Sequence, residues 1–147
     1  MKQLIILIVL LTGALCNVSA QDRLHPAHMP TSKSDEIKSF ITLMYNNKLY
    51  EDYDFLRKHC STELLKKLQD AYPYDADGIA YATWLFRSGK QDSKPGTEGK
   101  TIMLEVKLDG DWFVYTALDM GWKFTNRIKV TNKGGEIIIE DICAVKE

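Results

Sequence analysis

The sequence predicts an α+β domain in which N-terminal helices pack on a curved antiparallel sheet. In the first half, apolar side chains recur at the spacing of amphipathic helices, whereas from Ile102 onward they alternate with polar side chains as in β-strands. A segment rich in glycine and lysine, residues 88–100, separates the two halves. Because neither half can form a core of its own, we assign both to one domain.

The first half contains recognisable helix starts. A helix is predicted from Ser34, with two acids in its first turn, and its apolar stripe consists of Ile37, Phe40, Ile41, Met44 and Tyr45. A second helical stretch, residues 50–58, leads to Ser61, which is a good N-cap for a third helix. Residues 79–86 are apolar and fit either a short helix or a buried strand.

In the second half, the pattern of side chains predicts four strands, at residues 102–108, 112–118, 122–131 and 136–145. Turns are expected at residues 109–111 and 132–135, and Gly121 marks a bulge or bend. In the first strand, one row of side chains is expected to comprise Ile102, Leu104, Val106 and Leu108. These predictions describe a sheet that follows the helices in the chain.

Residues 1–20 have the features of a secretion signal, because one basic residue precedes an apolar run at residues 4–11 and small residues lead to Ala20. With cleavage after Ala20, residues 21–33 form a flexible lead and residues 34–147 the domain. The apolar run is too short for a membrane-spanning helix, so the mature protein is not expected to span a membrane. The sequence therefore predicts export to the periplasm or the extracellular space.

Removal of the signal also removes Cys16 and leaves Cys60 and Cys143. In an oxidising compartment these two cysteines are expected to form a disulfide. Because the loop between them is long, this bond would stabilise the domain by about 4 kcal/mol. The alternative is a pair of buried free thiols, since cysteine packs as a small hydrophobic residue.

Several functions are disfavoured by composition and motifs. The net charge of −1 does not favour nucleic acid as a partner. The chain has no Gly-x-Ser-x-Gly elbow, no glycine-rich phosphate loop and no His-Glu-x-x-His sequence. His59 lies beside a cysteine that we expect to be oxidised, which disfavours a Cys-His nucleophile. No catalytic residue, metal site or cofactor is therefore assigned.

The end of the chain carries a family resemblance. Residues 134–142, Gly-Gly-Glu-Ile-Ile-Ile-Glu-Asp-Ile, resemble the closing turn and strand of the nuclear-transport-factor-2-like superfamily, with Ile137 where tryptophan is usual. Residues 53–68 resemble the helical segment of small uncharacterised secreted bacterial members. The resemblance covers residues 34–145 and implies a cystatin-like cone, shared with ketosteroid isomerases, whose cavity lies between the sheet and the helices.

Polar residues within inward-facing rows of such a cone are candidates for the cavity. Asn126 interrupts the row of Trp122, Phe124, Ile128 and Val130, and Asp141 interrupts the row of Ile137, Ile139 and Cys143. Tyr115, on a central strand, would supply a phenolic donor. Trp84 and Trp122 at the cavity mouth would suit a flat apolar ligand.

The prediction that follows is an exported, non-enzymatic module that binds a small molecule or a partner protein through its cavity or its sheet face. A second interpretation is an isomerase- or lyase-like enzyme that uses Asp141 with Tyr115, because an apolar cavity raises the pKa of an isolated acid. A third is a structural domain that forms a homodimer through the sheet face.

Overall fold

The computed structural model describes residues 32–145, which form four α-helices and one antiparallel sheet. The helices are α1 (Lys33–Asn46), α2 (Tyr53–His59), α3 (Thr62–Asp70) and α4 (Ile79–Phe86), with a 3₁₀-helix at Leu49–Glu51. The strands are β1 (Thr101–Asp109), β2 (Trp112–Asp119), β3 (Trp122–Lys133) and β4 (Glu136–Ala144). The α+β class is confirmed. The predicted signal and nearly all of the lead lie outside the described residues.

Side-chain caps fix the starts of two helices. The Ser32 hydroxyl accepts a hydrogen bond from the backbone N–H of Asp35 at 3.1 Å, so α1 begins slightly before the predicted Ser34. The Ser61 hydroxyl accepts from the backbone N–H of Leu64 at 3.1 Å, and the predicted N-cap of α3 is confirmed. Within residues 32–145, no helix is both long and apolar enough to cross a membrane.

Residues 79–86, which fit either a helix or a strand in the sequence, form helix α4. Two carboxylates accept hydrogen bonds from backbone N–H groups in its first turn. Asp77 accepts from the N–H of Ile79 at 3.1 Å, and Asp75 accepts from that of Tyr81 at 3.2 Å. Gly78 precedes the helix in the left-handed conformation, with φ of 80°. These hydrogen bonds at the helix start therefore favour the helix over the strand for residues 79–86.

The sheet has the strand order β1-β2-β3-β4, and all neighbouring strands are antiparallel. Each pair is joined by a two-residue turn. At Met120 and Gly121 the φ angles are 48° and 83°, and at Gly134 and Gly135 they are 64° and 91°. Positive φ at both turn residues is typical of the type I′ turn, whose twist matches that of the strands. The bend predicted at Gly121 is therefore a tight hairpin turn.

A bulge in β1 changes which side chains share a face. The register with β2 shifts between Met103 and Glu105. As a result, Ile102 and Leu104 are 52% and 49% exposed, whereas Val106 packs against the core. The prediction that these residues form one row is wrong, because the bulge reverses the alternation.

A second bulge, in β4, also changes which side chains share a face of the sheet. Val130 of β3 pairs with Ile139, but the preceding Lys129 pairs with Asp141, so Glu140 is the extra residue. Ile139 is buried on the inner face, and Ile142 replaces Asp141 in the inner row. The predicted inner row is therefore wrong beyond Ile139, because Asp141 and Cys143 face outward.

The core lies between the helices and the inner face of the sheet. Helix α1 packs on β1, while α2 and α3 pack on β4. Cys60 lies beside Ile139, and the backbone N–H of Ser61 donates to the Ile139 carbonyl at 2.8 Å. The largest fully buried side chains are Tyr45, Tyr50, Tyr115, Phe86, Ile41, Met44, Leu56, Leu64, Leu68, Ile128, Ile139 and Ile142.

The predicted Cys60–Cys143 disulfide is not present, because both thiols are free, Cys60 buried and Cys143 exposed. Cys60 forms a parallel bridge with Ile139 of β4, and the distance along β4 from Ile139 to Cys143 is about 13 Å. The bulge also turns Cys143 to the outer face. A disulfide needs Cα atoms within about 7 Å, so this geometry excludes the bond.

Thiol labelling is expected to distinguish the two cysteines. Burial raises the pKa of Cys60 from 9.0 to about 12, so this thiol stays neutral in the folded protein. As pH rises from about 9 towards 12, the unfolded chain loses this proton and the folded chain does not, so the stability contribution of Cys60 falls. A disulfide-exchange reagent at pH 8 should modify Cys143 within minutes and Cys60 only in denaturant. Equal rates in the folded protein would contradict this burial.

Candidate functional site

A pocket of about 280 Å³ opens where helix α4 ends beside the sheet. Its walls come from α4, the loop that follows it, the start of β3 and the end of β4. The last β3–β4 pair is Asn126 with Ala144, and the backbone N–H of Val145 donates to the Thr125 carbonyl at 3.1 Å. Within residues 32–145, residues 122–124 of β3 pair with β2 alone. The space beside this part of β3 is bounded by α4. The pocket therefore lies beside the part of β3 that precedes its pairing with β4.

The lining combines aromatic surface with positive charge. Trp84 is 54% exposed and Phe124 is half-buried. Arg87, Lys90 and Lys123 also line the pocket, and among residues 32–145 no acidic residue does. Asn126, also in the lining, is nearly fully buried. Such an arrangement favours a small ligand that has a flat apolar part and a negative charge.

Behind the pocket, Arg87 forms a buried ion pair with Asp119. The Arg87 Nε donates to Asp119 Oδ1 at 2.9 Å, and the other oxygen accepts from the Ser88 hydroxyl at 2.6 Å. The backbone N–H of Ser88 donates to the same oxygen at 3.3 Å. Asp119 has no exposed surface, and the Arg87 side chain is 17% exposed. Both carboxylate oxygens are thus hydrogen-bonded, as a buried charge requires.

The pair also fixes the charge state of Arg87. Burial alone would lower the pKa of its guanidinium, but the hydrogen bond and the charge of Asp119 outweigh that effect and raise the pKa above its ordinary value. Arg87 is therefore positively charged at the pocket wall. Because Asp119 holds it, the guanidinium is also restricted in orientation.

Tyr115 and Asn126, two of the predicted cavity residues, lie opposite each other on β2 and β3. The Asn126 amide nitrogen donates to the Tyr115 hydroxyl at 3.2 Å and to the Leu85 carbonyl at 3.0 Å. The Tyr115 hydroxyl donates to the Phe86 carbonyl at 2.9 Å. These carbonyls belong to the last turn of α4, where no further helical N–H can reach them. The two residues therefore attach the end of α4 to the sheet.

Two further tyrosines lie inside the core near this network. The Tyr45 and Tyr50 rings are 5.8 Å apart, and Tyr45 is 6.0 Å from the Tyr115 ring. Neither the Tyr45 nor the Tyr50 hydroxyl has a hydrogen-bond partner within residues 32–145. Burial raises the pKa of both phenols, so they remain neutral. They add polar atoms to the core without adding charge.

The structure separates the other predicted site residues from the pocket. The Trp122 indole N–H donates to the Asp92 carbonyl at 2.8 Å, and the Lys94 ammonium lies 4.5 Å from its ring centre, so this tryptophan holds the loop before β1. Asp141 is 45% exposed on the outer face and pairs with Lys67 at 3.0 Å. The predicted pairing of Asp141 with Tyr115 is therefore wrong, because the bulge in β4 places them on opposite faces.

The sequence prediction missed Arg87 and Asp119. Asp119 continues the inward row of Tyr115 and Ala117 at the same two-residue spacing, and a charge in such a row must be paired. Arg87, directly after α4, is the cation that pairs with it. The two-residue spacing in β2 indicates that Asp119 is buried and needs a partner. That partner, Arg87, lies 32 residues away in the sequence and is identified only from the structure.

The site has no group of residues suited to a metal. Within residues 32–145, no three or more histidine, cysteine, aspartate or glutamate side chains are arranged to hold a metal ion. Comparisons of the chain with models of protein families, with curated proteins and with solved structures found no match. The case for a function therefore depends on the pocket itself.

Proposed function

We propose that this domain binds a small anionic ligand with a flat apolar part in the pocket beside α4. The observation that carries the proposal is the lining, in which Trp84 and Phe124 provide aromatic surface and the charged residues of the described part of the chain are all cations. A volume of about 280 Å³ suits a small molecule rather than a peptide. We infer a binding protein rather than an enzyme, because the buried titratable groups beside the pocket, those of Arg87, Asp119 and Tyr115, are occupied in structural contacts.

The lining cations have two different roles in this proposal. Arg87 is held by Asp119 and fixes the shape of the wall. Lys90 and Lys123 form no ion pair within residues 32–145, so they are available to an anion. Trp84 and Phe124 would then contact the apolar part of the ligand.

A matched pair of probes tests the proposal. Indole-3-acetate and indole-3-acetamide have the same ring, but only the first is an anion. Calorimetric titration of the protein should show that the acetate binds at least about tenfold more tightly, since two lysines of the lining carry positive charge. Replacing Lys90 and Lys123 with glutamine should remove this preference and leave the weak binding of the amide unchanged.

The control for that experiment is the double variant Lys58→Gln with Lys129→Gln, which removes the same charge outside the pocket. This control should bind the acetate as the parent protein does. Equal binding of acetate and amide to the parent, or loss of the preference in the control, would show that the lining charges do not select the ligand.

We also propose that the domain belongs to the nuclear-transport-factor-2-like superfamily. The order of elements supports this proposal, because helices precede a four-stranded antiparallel meander and the pocket opens between them. An experimental structure superposed on a ketosteroid isomerase tests it. A sheet that does not curve around α1 would contradict membership.

Export of the domain remains a proposal supported by the N-terminal sequence. The apolar run at residues 4–11 and the small residues before position 21 support it. Mass spectrometry of the protein recovered from its native cells should find a chain that starts at Gln21. An intact N-terminus, with the protein retained in the cytoplasm, would contradict export.

A further inference from the structure

A second concave surface, which we call the aromatic groove, lies between α3 and α4. It has a volume of about 380 Å³, and its lining consists of Ala71, Tyr72, Ala80, Tyr81 and Trp84. None of these residues is charged, and Tyr72 and Trp84 are more than half exposed. Exposed aromatic clusters of this kind on a soluble domain mark interaction sites.

The groove is built on a rigid helix. Tyr81 and Trp84 are three residues apart on α4 and share one helix face, and their rings stack with centres 5.5 Å apart and planes 23° apart. Ala71 and Ala80 contribute only methyl groups, which leaves open the space in front of the rings. Stacking covers one face of each ring and leaves the opposite face free, and the face of a ring is the part that attracts cations.

Negative charge borders the groove. The Asp75 carboxylate accepts a hydrogen bond from the backbone N–H of Tyr81 at 3.2 Å, which places it beside the lining. The backbone N–H of Ile79 lowers the pKa of Asp77, so this neighbouring carboxyl is charged at neutral pH. Neither Asp75 nor Asp77 forms an ion pair in the described part of the chain.

We propose that the aromatic groove binds a small quaternary ammonium ion. The rings of Tyr81 and Trp84 would supply cation–π attraction, and the two carboxylates would attract the ion to the surface. The carboxylates beside the groove are opposite in charge to Arg87, Lys90 and Lys123 of the pocket, with which the groove shares Trp84. The proposal does not depend on the anionic ligand proposed above.

Choline and its neutral analogue 3,3-dimethylbutan-1-ol provide the test, because they have nearly the same shape and differ in charge. The whole protein is titrated with each and followed by NMR, with sodium chloride as the control for ionic strength. Choline is expected to saturate in the low millimolar range, and the alcohol to bind at least about tenfold more weakly. Equal binding, or no saturation by choline, would overturn the proposal.

Variants locate the binding site. Tyr81→Leu should weaken choline binding about tenfold, and Asp75→Asn, which keeps an acceptor for the Tyr81 N–H, about threefold. Tyr53→Leu removes an exposed tyrosine from α2, outside the groove, and should have no effect. If Tyr81→Leu does not fold, Asp75→Asn decides the outcome. Unchanged choline affinity in Asp75→Asn, or equal losses in Tyr53→Leu, would place the ion elsewhere.

Discussion

Replacing Asp119 with alanine is expected to lower the free energy of unfolding by about 3 to 5 kcal/mol. The carboxylate is completely buried, and it binds Arg87 and Ser88. Its removal leaves the Arg87 guanidinium, whose side chain is only 17% exposed, without its ion-pair partner. Denaturant unfolding, with the slope compared between variants, measures the change.

Two further variants separate the charge effect from a general loss of packing. Asp109→Ala removes a carboxylate that is 72% exposed and 3.9 Å from Arg127, and it should change stability by less than about 0.5 kcal/mol. Replacing both Arg87 and Asp119 with apolar residues of similar size should restore much of the stability lost in Asp119→Ala. A loss below about 1 kcal/mol in Asp119→Ala would show that Arg87 finds another partner.

The variant Gly78→Ala is expected to be destabilised by about 2 to 4 kcal/mol. Gly78 has φ of 80°, which disfavours any residue with a Cβ. An added Cβ would also lie 2.9 Å from the Leu68 Cβ and 3.0 Å from the backbone nitrogen of Gln69. Because backbone atoms of α3 cannot move aside cheaply, α4 would have to shift.

Gly134→Ala is the matched control for the Gly78 variant. Its φ is 64°, but nothing lies within 4 Å of an added Cβ. Only the conformational penalty applies, so the expected loss is about 1 kcal/mol. Chemical denaturation of both variants gives the contribution of close packing as the difference. Equal losses would mean that α3 and α4 are not packed as tightly as the structure shows.

Local sequence patterns predicted most of the secondary structure. Ser61 was identified as an N-cap because its hydroxyl precedes an apolar stripe, and it performs that role. The strand spans were also predicted closely, since a glycine lies in the turn between each neighbouring pair. These features depend on neighbours within a few residues, which the sequence displays directly.

Side-chain faces were predicted less well, because single-residue bulges leave no distinct mark in the sequence. The bulge before Asp141 reversed the last part of β4, and that reversal removed both the Asp141 cavity site and the disulfide at Cys143. Tyr115 and Asn126 were each predicted to lie in the cavity, but the structure buries both, and they bind the end of α4. Contacts between distant segments decided each of these cases.

The two-residue turns of the sheet have a consequence for the order of folding. Each hairpin closes a very short loop, whereas the contact between His59 and the Ile137 carbonyl joins residues 78 positions apart. Loop-closure entropy and contact order therefore favour early pairing of the strands and late docking of the helices. Substitutions in the β2–β3 hairpin should slow folding, and substitutions around His59 should mainly accelerate unfolding; the reverse would contradict this order. Both proposed binding surfaces border α4, so they would be completed only after the sheet has formed.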